Sequence, residues 1–188
     1  MRKIGITGSL ASGKTSASKI ISQGNGPLFS ADDVVKKLYK KESFKKIVSK
    51  KFEIKNSSNL KKNLKNKILL NTSLVKKLEN LIHPLVRREM RGFIKKNKNK
   101  KLVFLEVPLL IESKLMNYFD TIIFIKAKKS TRLKRFLLKG GDRKIFKILT
   151  NNQLADNKKI KFCDHVVVND SNLKFLKKNL LDILRQYV

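Results

Sequence analysis

The stretch Gly8-Ser9-Leu10-Ala11-Ser12-Gly13-Lys14-Thr15 sets two glycines, a lysine and a hydroxyl residue at the spacing G-x-x-x-x-G-K-[ST]. That pattern is built to hold phosphate. A triphosphate needs many hydrogen-bond donors converging on its oxygens without bulky side chains in the way, and backbone N–H groups supply them. Gly8 and Gly13 permit the dihedrals that curl the chain into an anion nest, and a helix starting near Lys14 adds the positive end of its dipole. Lys14 would then bridge the β- and γ-phosphates of ATP, and the Thr15 hydroxyl would ligate Mg²⁺. The phosphates are expected on Gly8, Ala11, Ser12, Gly13, Lys14, Thr15 and Ser16.

Three further sets of residues can do chemistry. Asp32 and Asp33 follow the short apolar run Leu28-Phe29. An acid there can orient a hydroxyl, take its proton, or bind Mg²⁺ through water. A simple helix N-cap by Asp32 is the structural alternative, and the two roles are compatible. Glu106 ends the apolar run 102–105, where phosphate-loop enzymes carry a Mg²⁺-linked carboxylate. In Ile82-His83-Pro84-Leu85-Val86-Arg87, the proline is expected to end one helix and open the next. His83 and Arg87 would then stand about one turn apart at a helix entrance, able to face one anion or one hydroxyl.

The elements that must position these groups follow from hydrophobic pattern. Short apolar runs at 3–7, 28–29, 101–108, 120–126 and 164–169 read as buried strands, and helical spacing fills the intervals between them. The alternation predicts an α/β fold with a parallel sheet of about five strands and flanking helices. A nucleotide-binding core is expected over 1–32, 101–127 and 162–188. Residues 33–100 lack a strand pattern and are expected to form a helical substrate-binding insertion. Within it Asn56 to Asn66 is Lys/Asn/Ser-rich and reads as a loop or a short helix. Residues 128–161, basic and interrupted by Gly140-Gly141, have the make-up of a mobile lid that closes cations over phosphates; an exposed basic helix pair is the alternative. Leu173, Leu176, Leu180, Ile183, Leu184 and Tyr187 give a closing amphipathic helix.

With 188 residues, one compact domain is expected. No charged-then-apolar leader stands at the start and no apolar run reaches the ~18 residues of a membrane span, so a cytoplasmic protein without a membrane partner is expected. The single cysteine, Cys163, excludes an internal disulfide and reads as a small buried apolar residue. A net charge of +31 from 45 basic and 14 acidic residues ordinarily suggests nucleic acid. Only eight of the basic residues are arginine, and the lysines are spread from end to end, so weak attraction to any polyanion is expected but no specific nucleic-acid partner.

Taken together, the stretches resemble the dephospho-CoA kinase family over nearly the whole length. The resemblance rests on Ile6-Thr7-Gly8 with the loop through Thr15, Ser30-Ala31-Asp32, Ile82-His83-Pro84-Leu85-Val86-Arg87, and Val107-Pro108-Leu109-Leu110-Ile111-Glu112-Ser113-Lys114-Leu115. It continues through Leu133-Lys134-Arg135, Gln153, Cys163-Asp164 and Val168-Asn169. It implies a phosphate-loop NTPase fold and transfer of the ATP γ-phosphoryl group to the ribose 3′-hydroxyl of dephospho-CoA, giving CoA and ADP. Asp32 resembles the family's acceptor-activating aspartate, Lys14 and Thr15 its phosphate and Mg²⁺ residues, His83 and Arg87 its substrate-binding motif, and Arg135 its catalytic lid arginine. The family usually has glycine where Ser9 and Ala11 stand, aspartate at Ser30, and arginine at Lys139 and Lys159. Two other readings compete: a phosphate-loop kinase for another small molecule, and a nucleic-acid-binding protein that uses the charge, against which the lack of Trp and of aromatic-basic stacking motifs stands.

Overall fold

The computed structural model describes residues 1–55 and 59–187. Five strands, β1 (Arg2–Gly8), β2 (Leu28–Ser30), β3 (Leu102–Glu106), β4 (Thr121–Lys126) and β5 (His165–Val168), form one sheet in the order β2-β3-β1-β4-β5. Every pairing is parallel. The near-continuous apolar runs suit this arrangement, because helices cover both faces of a parallel sheet. The run Ile4, Ile6, Phe104, Ile123 and Ile125 on one face packs against α1 (Lys14–Ser22) and α9 (Leu173–Leu184) through Ala17, Ile21, Leu176, Leu180 and Leu184. Leu173 itself is exposed, so the closing helix seals the core from its second turn onward.

Val103, Leu105 and Ile122 on the opposite face meet α2 (Ala31–Leu38) and the second half of α5 (Leu74–Lys96) through Ala31, Val86 and Met90. The first half of α5 belongs to another apolar cluster. There Leu74, Val75, Leu78 and Leu81 join α3 (Glu42–Lys51), α4 (Leu60–Leu70) and α7 (Arg143–Asn151). One helix therefore ties the sheet to the helical cluster, and His83 and Arg87 lie at the junction.

The expected break at Pro84 does not occur: α5 runs unbroken through it. Proline removes one helical hydrogen bond and costs about 3 kcal/mol in a helix interior. Here Pro84 and Asn80, whose carbonyl loses its partner, are both exposed, so water can take up the lost bond. Apolar contacts on both sides of the proline outweigh what remains. His83 and Arg87 thus sit mid-helix on one face instead of at a helix entrance.

β2 does not neighbour β1, because β3 is inserted between them. In the stretch read as an exposed loop or a short helix, Asn59 caps α4 and residues 60–66 lie within it, with Leu60, Leu64 and Ile68 of this helix buried; the rest of the stretch, 56–58, lies outside the described residues. Residues 128–161 hold three helices, α6 (Lys129–Leu138), α7 and α8 (Asp156–Ile160), with Phe146 of α7 buried. No helix among the described residues is long and apolar enough to cross a membrane.

Candidate active site

The loop between β1 and α1 has the geometry its glycines demand. Gly8 lies against the carbonyl oxygen of Ile125, where a Cβ would collide with it. Gly13, at φ +97°, caps α1 and lies against the Asn169 amide, which donates to the Ser12 carbonyl oxygen at 2.8 Å. Ala11 is left-handed at φ +59°, a conformation that costs an alanine about 1–2 kcal/mol and a glycine almost nothing. The Lys14 Nζ reaches back to the Ser9 carbonyl oxygen at 3.0 Å. Burial above all, helped by the cations Lys159 and Arg132 and opposed by Asp32 and Glu106, lowers the Lys14 pKa to about 8. The Ser12 hydroxyl is buried with no hydrogen-bond partner among the described residues, which leaves it free to donate to an oxyanion on the loop.

Glu106 ends β3 beside the loop, paired in register with Ile6. Thr15 Oγ1 donates to Glu106 Oε1 at 2.7 Å, and Ser18 Oγ to Glu106 Oε2 at 3.4 Å. A hydroxyl and a carboxylate so placed are hard oxygen donors, the kind Mg²⁺ takes when phosphate and water fill its other positions. Among the described residues no cluster of three or more His, Cys, Asp or Glu side chains forms an all-protein metal cage.

Asp32 stands in the first turn of α2. Ser30, not Asp32, caps this helix: its hydroxyl accepts from the Asp33 N–H at 3.4 Å. Serine thus takes the capping position, and Asp32 is released from that role. Asp33 turns away and pairs with Lys36 at 2.8 Å on the surface. Asp32 instead lines an apolar cavity of about 240 Å³ together with Val35, Ile82, His83, Arg87 and Leu109. Burial lowers the His83 pKa, so the imidazole is neutral at pH 7. Its Nδ1 lies 3.4 Å from the Ser113 hydroxyl, and Arg87 Nη2 donates to the Ser113 carbonyl oxygen at 2.9 Å. One carboxylate therefore faces both the phosphate-loop lysine and the His83–Arg87 cavity.

Residues 128–161 meet the loop from above. Arg135 Nη1 donates weakly to the Ser12 carbonyl oxygen at 3.4 Å. The Leu10 N–H donates to Gln153 Oε1 at 3.0 Å, and the Ser9 hydroxyl donates to Asp156. Fully buried Lys159 pairs with Glu112 at 2.7 Å, and Glu112 also accepts from the Leu154 N–H at 3.2 Å. Ser16, in the first turn of α1, is exposed. Glu112, Gln153 and Asn169 fall in stretches that the resemblance had marked, without a role attached. Nothing in the sequence pairs Ser9 with Asp156, 147 residues away, or Glu112 with Lys159. Cys163, half-buried, donates to the Lys159 carbonyl oxygen; burial pushes its thiol up to about 12, which makes it inert.

Comparison with known proteins turns this geometry into a family assignment. The sequence model of the family described as CoaE, dephospho-CoA kinase, matches residues 2–174. The chain belongs to the dephospho-CoA kinase family. It is 29% identical to the dephospho-CoA kinase of Bartonella henselae over 190 residues, covering 98% of this chain and 97% of that protein. With the dephospho-CoA kinase of Rickettsia typhi identity is 32% over 186 residues, with the same coverages. A solved dephospho-CoA kinase from Campylobacter jejuni superposes with a TM-score of 0.66 at 25% identity, covering 99% of this chain and 97% of the other. The matched residues take in the whole sheet, the helical cluster and all three helices above the phosphate loop, and stop at the start of α9.

Proposed function

We propose that the chain transfers the γ-phosphoryl group of ATP to the ribose 3′-hydroxyl of dephospho-CoA, yielding CoA and ADP, the last step in CoA biosynthesis. The observation that carries this reading is the placement of Asp32 between the Lys14 ammonium and the cavity of His83 and Arg87. The loop amides from Ala11 to Ser16 and the Lys14 ammonium hold the triphosphate. Arg87 and neutral His83 orient the acceptor. Asp32 accepts the proton of the acceptor hydroxyl as its oxygen bonds to the γ-phosphorus, and the bond from that phosphorus to the bridging oxygen breaks to leave ADP. Lys14 and Arg135 follow the charge onto the leaving oxygens, which is where positioning and electrostatics act in phosphoryl transfer. Thr15 and Glu106 fit Mg²⁺, which would supply charge neutralisation between the β- and γ-phosphates.

We assign residues 1–32, 101–127 and 162–188 to the nucleotide core, 33–100 to acceptor binding and 128–161 to a lid. The experiment is ADP release with dephospho-CoA against a panel of nucleosides, nucleotides, shikimate and other hydroxyl acceptors. Turnover with dephospho-CoA alone is expected, and equal turnover with another acceptor overturns the substrate assignment.

A further inference from the structure

Helix α6 carries two arginines about one turn apart. Arg135 has one weak partner, the Ser12 carbonyl oxygen of the phosphate loop at 3.4 Å. Arg132 is 7% exposed, and its Nε and Nη1 are buried with no hydrogen-bond partner among the described residues. A guanidinium does not shed its proton at any ordinary pH, and a buried unpaired charge is among the most unfavourable groups a fold can carry. Several charges around the loop already have partners. Lys159 is paired with Glu112, and Lys14 is held by the Ser9 carbonyl oxygen. The Glu106 oxygens accept from Thr15 and Ser18, and Asp156 accepts from Ser9. Among the described residues no carboxylate answers Arg132. Its charge nevertheless bears on the Lys14 ammonium, as that of Lys159 does.

We propose that Arg132 is a phosphate-binding residue whose Nε and Nη1 hold terminal-phosphate oxygens of the nucleotide seated on Lys14. This inference rests on the kinase reading above. The adjacent Nε and Nη1 of a guanidinium form a planar fork that matches two oxygens of one phosphate, and a lysine at the same position offers a point charge only. Arg132 adds to Arg135 a second α6 cation for the same anion. Its unpaired burial in the ligand-free protein is the stability given up for that binding, a trade common at functional sites.

The test compares the wild type with Arg132→Met and Arg132→Lys by thermal unfolding without ligand, calorimetric titration with ADP and with a non-hydrolysable ATP analogue, and steady-state kinetics. Arg132→Met removes an unpaired charge at similar length, so it is expected to unfold at the same or a higher temperature than the wild type. Its affinity for the ATP analogue is expected to fall roughly ten- to a hundred-fold, as loss of a charged hydrogen-bonding pair implies. The KM for dephospho-CoA is expected to stay unchanged, and Arg132→Lys to recover part of the loss. A lower unfolding temperature with unaltered nucleotide affinity makes Arg132 a structural residue and overturns the proposal. So does a rise confined to the acceptor KM, which would put the acceptor's own diphosphate on Arg132. Turnover by the wild type with an unaffected Arg132→Met variant sinks this inference alone, whereas a wild type that binds no nucleotide overturns the kinase reading with it.

Discussion

Asp32 and Asp33 are adjacent in sequence and both exposed, but they face different surroundings. Asp33 is exposed, and the Lys36 ammonium holds its carboxyl below the usual range. Asp32 faces the cavity and the Lys14 charge. Asparagine is nearly isosteric with aspartate but takes no proton at neutral pH, so Asp32→Asn is expected to keep fold and ATP affinity while kcat falls about 10²- to 10⁴-fold. Asp33→Asn is expected to be silent in the same assay, and the reverse pattern would shift the base by one residue. Lys14 carries a second prediction at this scale. Its ligand-free pKa of about 8 means the ammonium that attracts phosphate is present below pH 8 and lost above it. Bound polyphosphate stabilises the charged form, so by linkage ATP affinity is expected to be nearly flat from pH 6 to 7 and to weaken by up to about tenfold per unit above 8. Titrations at pH 7, 8 and 9 check this. Lys14→Ala should abolish both the slope and most of the turnover; a slope that survives the substitution would assign it to another group.

At the scale of elements, α5 determines where the acceptor residues stand. It buries Val75 in the helical cluster and Val86 and Met90 against the sheet, so its axis is fixed from both ends. Pro84 lies between these anchors on the exposed side. Replacing it by alanine restores a backbone donor and a good helix former without touching a packed surface. Pro84→Ala is therefore expected to raise the unfolding free energy by about 1–3 kcal/mol, read from the urea midpoint at unchanged slope. The acceptor KM should remain within a small factor, since His83 and Arg87 keep their face. A destabilised variant would mean that the proline makes contacts the helix depends on. The turn 107–115 is the complementary element: Ser113 meets His83 and Arg87 while Glu112 holds Lys159, so one short segment touches both the acceptor cavity and α8.

The whole molecule carries +31 charges with few arginines among them. Dispersed lysines act on a polyanion through counterion release, which is sequence-blind and steeply salt-dependent. Binding to duplex DNA of unrelated sequences is expected to be equal at low salt and to vanish by physiological salt, measured by fluorescence anisotropy. Sub-micromolar binding of one sequence at physiological salt would add a nucleic-acid role to the enzyme. The same field draws in the anionic substrates, so kcat/KM for ATP should also decline with ionic strength.

The local parts of this protein were legible in its sequence. Strand runs, the phosphate loop and the helical spacing are short-range patterns, since backbone hydrogen bonding and side-chain periodicity act over a few residues. Asp32, Lys14, Thr15, His83 and Arg87 stand in short stretches readable for the same reason: the phosphate loop speaks for its own chemistry, whereas roles for Asp32, His83 and Arg87 came from the resemblance. What only the tertiary structure decided depends on residues far apart in the chain. Inserting β3 between β1 and β2 puts Glu106 against Thr15, 91 positions away. Pairing of Glu112 with Lys159, and of Ser9 with Asp156, follows from how α8 rests on the loop. Pro84 stays helical because burial at both ends of α5 outweighs a local preference. Arg132 reads as one more basic residue in a basic helix until packing removes it from water and leaves its charge unanswered.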